Sequence, residues 1–269
     1  MKNNTSFHYA LLVIIVVIIA GLSFVSGQQI KNTLFDEIST DIQINSAEVE
    51  NLLTSEYQQY RNDIEFIYEL PQIKSLNRID TNTGIDPETN ISEAKLKAQT
   101  IDTFKSFIRK HPQYYQLRVL NAEGFEYIRV ERSQGFVRTV QSNDLQDKSD
   151  RYYFTQTKTI QEDGLFVSYI DLNRENGQIA FPYQPTVRMA KPLYSSENEF
   201  LGEIVINIDV SYLLEEMRNI VHKHYDVILL DYERRFIQHP NKGLAFSRDL
   251  AVEQTFDTVY ETVDAKHAN

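Results

Sequence analysis

The spacing of apolar residues changes once along this chain, near Tyr114, and that change fixes its class. Before it, apolar residues recur three, four and seven positions apart, the repeat of a helix face. After it they alternate, the repeat of a half-buried strand. Helices followed by short strands and tight turns predict an α+β domain, with helices flanking one antiparallel meander sheet.

The helical half opens with a polar tail, residues 1–8, and a continuous apolar run, Tyr9 to Val25 (YALLVIIVVIIAGLSFV). At about 1.5 Å per residue the run just spans a bilayer core of roughly 30 Å. A transmembrane helix is expected over residues 9–26, with Lys2 favouring a cytoplasmic N-terminus and the remainder outside. The alternative is a cleaved signal peptide, for which Ser26-Gly27-Gln28 offers a small-residue cleavage site. The length of the run and the thin basic start weigh against it. Residues 27–70 contain no Pro, and no Gly after Gly27. Of Leu34, Ile38, Ile42, Val49, Leu52, Leu53, Tyr57, Tyr60, Ile64 and Ile67, spacings of three, four and seven put most on one stripe. One long stalk or signalling helix is expected, packing on a domain, pairing with its copy, or both, and ended by Pro71. Ser75 to Asn90 reads as a loop. Ser92 reads as the N-cap of a second helix reaching Lys110, with Leu96, Ile101, Phe104, Phe107 and Ile108 on one face.

In the strand half, Tyr115–Leu120, a turn at Asn121–Gly124 and Phe125–Val130 predict a hairpin. Residues 135–148 read as looser and polar. Single strands are expected at Leu165–Leu172, Thr186–Leu193 and Leu201–Val210, making a five-stranded PAS-like sheet. Turns fall at Asn173–Gly177 and Ser195–Glu199, and Ser211 is expected to cap a helix from Tyr212 to about His222. A second strand–turn–strand opening begins at Tyr225. Residues 71–222 are therefore expected to form one module and residues 223–269 the start of another, too short to close its own sheet. The chain is expected to be part of a longer protein.

Composition narrows the function. A net charge of −11 argues against nucleic acid, which needs a basic face. The chain has no Cys, so thiol chemistry and Cys-based metal centres are excluded. Among His222, His224 and Asp226, two histidines two residues apart at a helix end are no fixed chelating pair, so no metal is expected. No Gly-x-Ser-x-Gly, phosphate loop or zinc-hydrolase motif is present, so no catalytic residue, enzymatic activity or cofactor is expected.

A membrane anchor, a long helix, a sheet closing in GEIVINIDVSYLL and a second module opening VILLDYERRFIQHP resemble the double Cache (dCache) extracellular sensor family. The stretch LNRENGQIAFPYQPTVRMAKPLY is similar to the subtype seen in bacterial sensor histidine kinases and diguanylate cyclases. The resemblance covers Gln28 to about Pro240 and rests best on Gly202 with Asp209 and on Phe236 with His239-Pro240. It implies a membrane-distal and a membrane-proximal PAS-like module on one long helix, with the ligand held on one side of the distal sheet. The expected function is extracytoplasmic small-molecule sensing by a transmembrane receptor of the inner membrane. The sensor would lie in the periplasm as a homodimer, with a kinase or cyclase output further along the protein. The alternative is an anchored or secreted binding protein without output.

The resemblance also proposes site residues. The amino-acid-binding branch of the family carries an Arg, an aromatic pair, a Tyr on the next strand and an Asp on the last. Arg151 matches the Arg, Tyr153-Phe154 the pair, Asp171 falls near the Tyr, and Asn207 replaces the Asp. Asn is a weaker partner for an α-ammonium group, so a carboxylate or another small polar or anionic ligand stays open. The alternatives are an Arg151 paired with Asp150 and a Tyr153 that is core. Strand alternation adds Arg188, on the face of Thr186 and Ala190, whose anionic partner is either a ligand or Asp171. Ser168 and Tyr169 lie on opposite faces, so at most one meets a pocket. Asp209 is expected to cap the following helix or bond locally.

Overall fold

The computed structural model describes residues 3–221 and 225–261, with side chains for residues 18–221 and 225–260. The chain divides into two compact units, Met1–Leu53 and Thr54–Asn269. One helix, α1 (Asn3–Tyr68), supplies all of the described part of the first unit. There its Ile30, Leu34, Phe35, Ile38 and Ile42 are exposed. Among the described residues no helix is long and apolar enough to cross a membrane. Most of the expected span, Tyr9 to Val25, falls where side chains are outside the described residues, as do His222 and His224.

The second unit is α+β. After α1 come α2 (Pro71–Leu76) and α3 (Glu93–Lys110). Pro71 opens α2, where a missing N–H costs nothing. Ser92 stands at the N-cap of α3 in extended conformation, but its hydroxyl makes no capping bond; its carbonyl takes the amides of Lys95 and Leu96. The sheet follows: β1 (Tyr114–Asn121), β2 (Glu126–Ser133), β3 (Phe136–Thr139), β4 (Phe166–Val167), β5 (Asp171–Leu172), β8 (Pro185–Tyr194) and β9 (Phe200–Asp209). The short α4 (Tyr152–Thr157) precedes β4, and the hairpin β6 (Arg174–Glu175) and β7 (Gln178–Ile179) precedes β8. The strands run antiparallel in the order β3-β2-β1-β9-β8-β4, with β5 also paired to β8.

The sheet has seven strands where five were expected, for two local reasons. Phe136–Thr139, expected to be loose, pairs with β2 as an edge strand whose side chains are exposed or half-exposed, so burial does not impose apolar alternation on its sequence. The expected strand 165–172 is broken into β4 and β5. At the break the Ser168 hydroxyl accepts the Arg188 amide (2.8 Å), where a backbone carbonyl would continue the ladder. The turn at residues 173–177 is itself a hairpin, its two-residue connection at Asn176 and Gly177 with φ of 50° and 77°.

One sheet face is apolar. Leu117, Val119, Ile128, Val130, Met189, Ile204, Ile206 and Ile208 are buried on it, as are Ile64 and Ile67 of α1 and Phe104, Phe107 and Ile108 of α3. Tyr114 ties β1 to both helices. Its ring stacks on Phe107 (5.4 Å), meets Tyr60 edge-on (6.0 Å), and its hydroxyl donates to Asp63. Lys191 reaches Glu65 of α1 at 3.1 Å. After β9 comes α5 (Ser211–Val221), where Asp209, not Ser211, does the capping: its Oδ1 accepts the Ser211 amide at 2.9 Å. A short hairpin, β10 (Leu229–Leu230) and β11 (Phe236–Gln238), stands where the second module was expected to open. It belongs to the same compact unit as the main sheet.

Gly202 is the residue the sheet can least replace. Its φ of 139° is closed to other residues, and a Cβ there would meet the Leu120 carbonyl oxygen at 2.0 Å. Gly202→Ala is expected to cost about 2–3 kcal/mol or more through overpacking and backbone strain. Urea denaturation measures it; a cost below about 0.5 kcal/mol would show that β1 and β9 can part there.

Candidate functional site

The second sheet face buries charge. Alternation places Arg118 of β1, Arg129 of β2 and Arg188 of β8 on it, all at most 5% exposed. Each finds partners nearby. Arg188 pairs with Asp171 of β5, and the Tyr152 hydroxyl donates to the same carboxylate at 3.0 Å. Arg129 donates twice to Glu131 (2.6 and 2.9 Å) and once to Glu175 of β6 (3.0 Å). Arg118 donates to the Tyr153 hydroxyl (3.1 Å), to Asn207 Oδ1 (2.7 Å) and, more weakly, to Glu126 (3.4 Å). Lys148 lies beside them, pushed down to about 8 by burial and by Arg118. Toward the far end the face turns apolar, where Leu120, Phe166, Ala190 and Val205 pack against Tyr153 and Phe154 of α4.

At the β2 side this charged face opens into a cavity of about 600 Å³. Gln116, Arg129, Glu131, Arg138, Gln146 and Glu175 line it, with further carboxamides and hydroxyls around them. The Glu175 carboxylate sits at its centre of polarity. It accepts from Gln116 Nε2 (2.7 Å), Arg129 Nη2 (3.0 Å), and Gln146 and Asn173 (3.3 Å each). Burial works against its charge, but Arg129 and these donors outweigh it and hold Glu175 at about 2.

Of the six expected site residues, Tyr153, Asp171, Arg188 and Asn207 meet at the charged face, Arg151 and Ser168 stand further out, and none of them lines this cavity. Arg188 has taken the internal acid Asp171 as partner. Asn207 works in both directions: its Oδ1 accepts from Arg118 while its Nδ2 donates to Gln116 Oε1 (2.9 Å) and the Tyr115 hydroxyl (3.1 Å). An ionised Asp could do only the first, which is a physical reason for the amide here. Gln116 then donates to Glu175, so Arg118, Asn207, Gln116 and Glu175 form one continuous chain of hydrogen bonds into the cavity. Tyr153 is buried, with Arg118, Arg188 and Arg151 at 5.4, 5.6 and 6.0 Å from its ring centre. Arg151 is half-exposed just before α4. Ser168 spends its hydroxyl on backbone, accepting from Arg188 N and donating to Tyr169 O. Sequence reasoning missed Gln116, Arg129, Gln146 and Glu175. The signal for one of them was present: Arg129 stands two residues before Glu131, which puts opposite charges on one face of a strand whose neighbours are buried.

One further acid lies on this face. Glu203 is fully buried opposite Leu120 and Pro192, and neither carboxyl oxygen makes a hydrogen bond among the described residues. Burial raises it to about 8, against lesser opposing effects of Thr157 and Arg118, so it holds its proton at neutral pH.

The site is thus a charged layer on one side of a meander sheet, with apolar helices on the other side and a polar cavity at the edge. The sequence matches the model of the family described as bacterial histidine kinase, sensor domain, over residues 72–262, and the chain belongs to that family. Solved structures share the fold. The domain of a protein assigned to the sensory box/GGDEF family from Vibrio parahaemolyticus aligns with TM-score 0.62 at 19% identity, over 84% of each chain. The extracellular domain of a protein assigned as the histidine kinase vpHK1S-Z8 aligns with TM-score 0.61 at 18% identity, over 85% of this chain and 80% of that one. The ligand-binding domain of the Pseudomonas aeruginosa amino acid chemoreceptor PctC, in complex with GABA, aligns with TM-score 0.52 at 14% identity, over 81% and 79%. No curated protein sequence matches the chain.

Glu203 gives the site a pH signature. Its pKa is raised on folding from an ordinary 4.5 to about 8, so between those values the unfolded chain is ionised while the folded one is not. Stability contributed at this position is therefore lost as pH rises through that window, by about 1.4 kcal/mol per pH unit. Glu203→Gln removes the titration. The variant is expected to match the wild type near pH 4.5 and to exceed it increasingly up to pH 8 in urea melts. A gap that stays constant with pH would show that Glu203 is charged in the fold.

Proposed function

We propose that this chain is the extracytoplasmic small-molecule sensing domain of a transmembrane receptor. Its ligand binds in the cavity at the edge of the charged sheet face. One observation carries the reading: a layer of buried, mutually paired charges opens through Gln116 and Arg129 onto a polar cavity of about 600 Å³. Burying that many charges is costly, and a sheet needing only stability would be served by apolar side chains. A related fold holding GABA in PctC supports a small-molecule role. The ligand we propose is small and polar or anionic. Asn207 holds Gln116, and Arg118 shares Glu126 with Arg129; Tyr153, Asp171 and Arg188 continue the layer behind them, and Arg151 and Ser168 stand further out.

In this reading residues 71–222 are the membrane-distal module and residues 223–269 begin a membrane-proximal one. Tyr9 to Val25 anchors the chain in the inner membrane, with the sensor in the periplasm. The exposed Leu34, Ile38 and Ile42, four apart on α1, support pairing of that helix with its copy in a homodimer. Ligand binding biases the sheet, and α1, whose Tyr60, Ile64 and Ile67 are buried with the sheet's apolar face, carries the bias toward a kinase or cyclase output. The shift is no larger than the ligand's differential affinity for the two states.

The experiment is a thermal-melt screen of the full chain in detergent against small carboxylates, sugar acids and amino acids. A ligand present at about 100 times its Kd adds roughly 2.7 kcal/mol. Arg129→Lys keeps the charge but loses the planar fork, and is expected to weaken a hit at least tenfold. Arg151→Ala is expected to leave the affinity within about twofold. The opposite pattern would move the site to the Arg151 side of Tyr153.

A further inference from the structure

Among the described residues, β6 and β7 pair as strands with each other and with neither of the other sheets. Two neighbouring side chains on β6 hold it in place from opposite sides, as alternation on a strand requires. Glu175 reaches into the cavity, to the four donors from Gln116, Arg129, Gln146 and Asn173. Arg174 turns the other way and pairs with Asp249 of the segment after β11 at 3.4 Å. The other Asp249 oxygen accepts the Leu172 amide at 2.9 Å. Glu175 and Arg174 thus tie one short strand both to the cavity and to the segment beyond the main sheet.

We propose that Glu175 is an internal occupant of the cavity's anion position, and that the ligand is a hydroxylated carboxylate that displaces it and loosens the hairpin from Asp249. This rests on reading the cavity as the ligand site. Charge balance supplies the first reason. The buried layer holds four cations, Arg118, Arg129, Arg188 and Lys148, against four acids, Glu126, Glu131, Asp171 and Glu175, and the exposed Arg138 draws further on Glu131 at 2.7 Å. Glu126, Glu131 and Asp171 are built into the main sheet and nearly inaccessible, whereas the Glu175 side chain is 31% exposed on a hairpin outside it. If Glu175 leaves, Arg129 keeps Glu131 and, more weakly, Glu126, and an incoming anion can take the vacated place on its fork. A carboxylate suits the fork of Arg129 and the donors of Gln116 and Gln146, because one holds that position already.

The rest of the lining sets the body of the ligand. Gln141, Asn143, Asn173 and Gln184, with Ser133 and Thr139, offer donors and acceptors around the slot, against few apolar side chains such as Val140 and Leu145. An aliphatic tail there would leave these groups without partners, whereas hydroxyls match them.

The test compares the full-length wild type with Glu175→Ala, both in detergent, using acetate, D-gluconate and hexanoate as probes in calorimetry and thermal melts. Gluconate and hexanoate have the same number of carbons and differ in their hydroxyls. Acetate is expected to bind Glu175→Ala at least tenfold more tightly than the wild type, because the competing carboxylate is gone. Gluconate is expected to bind more tightly than acetate in both proteins, and hexanoate no more tightly than acetate. Hydrogen exchange at the Leu172 amide and across residues 173–180 is expected to quicken in Glu175→Ala and, equally, in wild type saturated with gluconate. Asp249→Ala serves as control: it frees the Leu172 amide while leaving acetate affinity in the Glu175→Ala background unchanged. If Glu175→Ala does not fold, Glu175→Ser carries the same measurements. Equal acetate affinity in wild type and variant overturns the displacement, and hexanoate matching gluconate overturns the ligand class. Unchanged exchange in the variant overturns the coupling to Asp249. Should D-glucose, and no carboxylate, stabilise the wild type with loss in Arg129→Lys, the cavity stands as a ligand site and the Glu175 proposal falls.

Discussion

Three arginines buried on one face of a sheet are the constraint to which the rest of this structure answers. A guanidinium cannot shed its charge to escape burial, as a lysine or carboxylate can. Arg118, Arg129 and Arg188 therefore have to be met by acids or acceptors brought from elsewhere in the chain. That need explains β5, two residues long, which sets Asp171 beside Arg188. It gives β6 a reason to lie against Arg129, and it explains why Asn207 has to be an amide that accepts from one side and donates to the other. The arginines also divide the sheet. With one face committed to charge, the apolar residues of β1, β8 and β9 are left to the other, and α1 and α3 cover it.

Much of this was legible in the sequence, and what was legible follows period. The helix ending before Pro71, the helix reaching Lys110 and the hairpin of β1 and β2 all declare themselves through regular spacing and turn residues. The family resemblance, resting on the close of β9 and the hairpin after it, agrees with the sensor-domain family found. The α+β plan followed from these elements. The interrupted strand did not. Leu165 to Leu172 alternates well enough to read as one strand, and nothing local shows that the Ser168 hydroxyl will take the place of a carbonyl. The edge strand β3 was missed because one-sided pairing leaves its side chains partly in water, where alternation is not enforced.

The site was less legible, for a different reason. Asp171 could be offered as one of two partners for Arg188 because alternation on the long strand β8 places that arginine on a definite face. Glu175 could not be matched to Arg129. The two are 46 residues apart. Plain alternation would also put Glu126 and Arg129, three apart, on opposite faces, and the irregularity between Val119 and Leu120 against β2 is what brings both to the charged face. Resemblance directed attention to Arg151 and the start of α4, while the polar opening lies at the other side of the same charged layer. Four of the residues expected from sequence lie in the charged layer, and none of those lining the opening was among the six.

A site that already holds a carboxylate behaves differently from an empty one. Tethered by a short hairpin, Glu175 competes at an effective concentration that a flexible link sets in the millimolar range. A free carboxylate bound through Arg129 and Gln116 alone would lose to it at ordinary concentrations. Selectivity then falls to what Glu175 lacks, contacts from the rest of a ligand to the carboxamides around the slot. Their strength over solvent is what converts occupancy into a shift between two arrangements of the hairpin. The same arithmetic explains why the hairpin stands outside both sheets: strands bonded into the main sheet would add their ladder to the cost of displacement, and no small molecule would make up the difference.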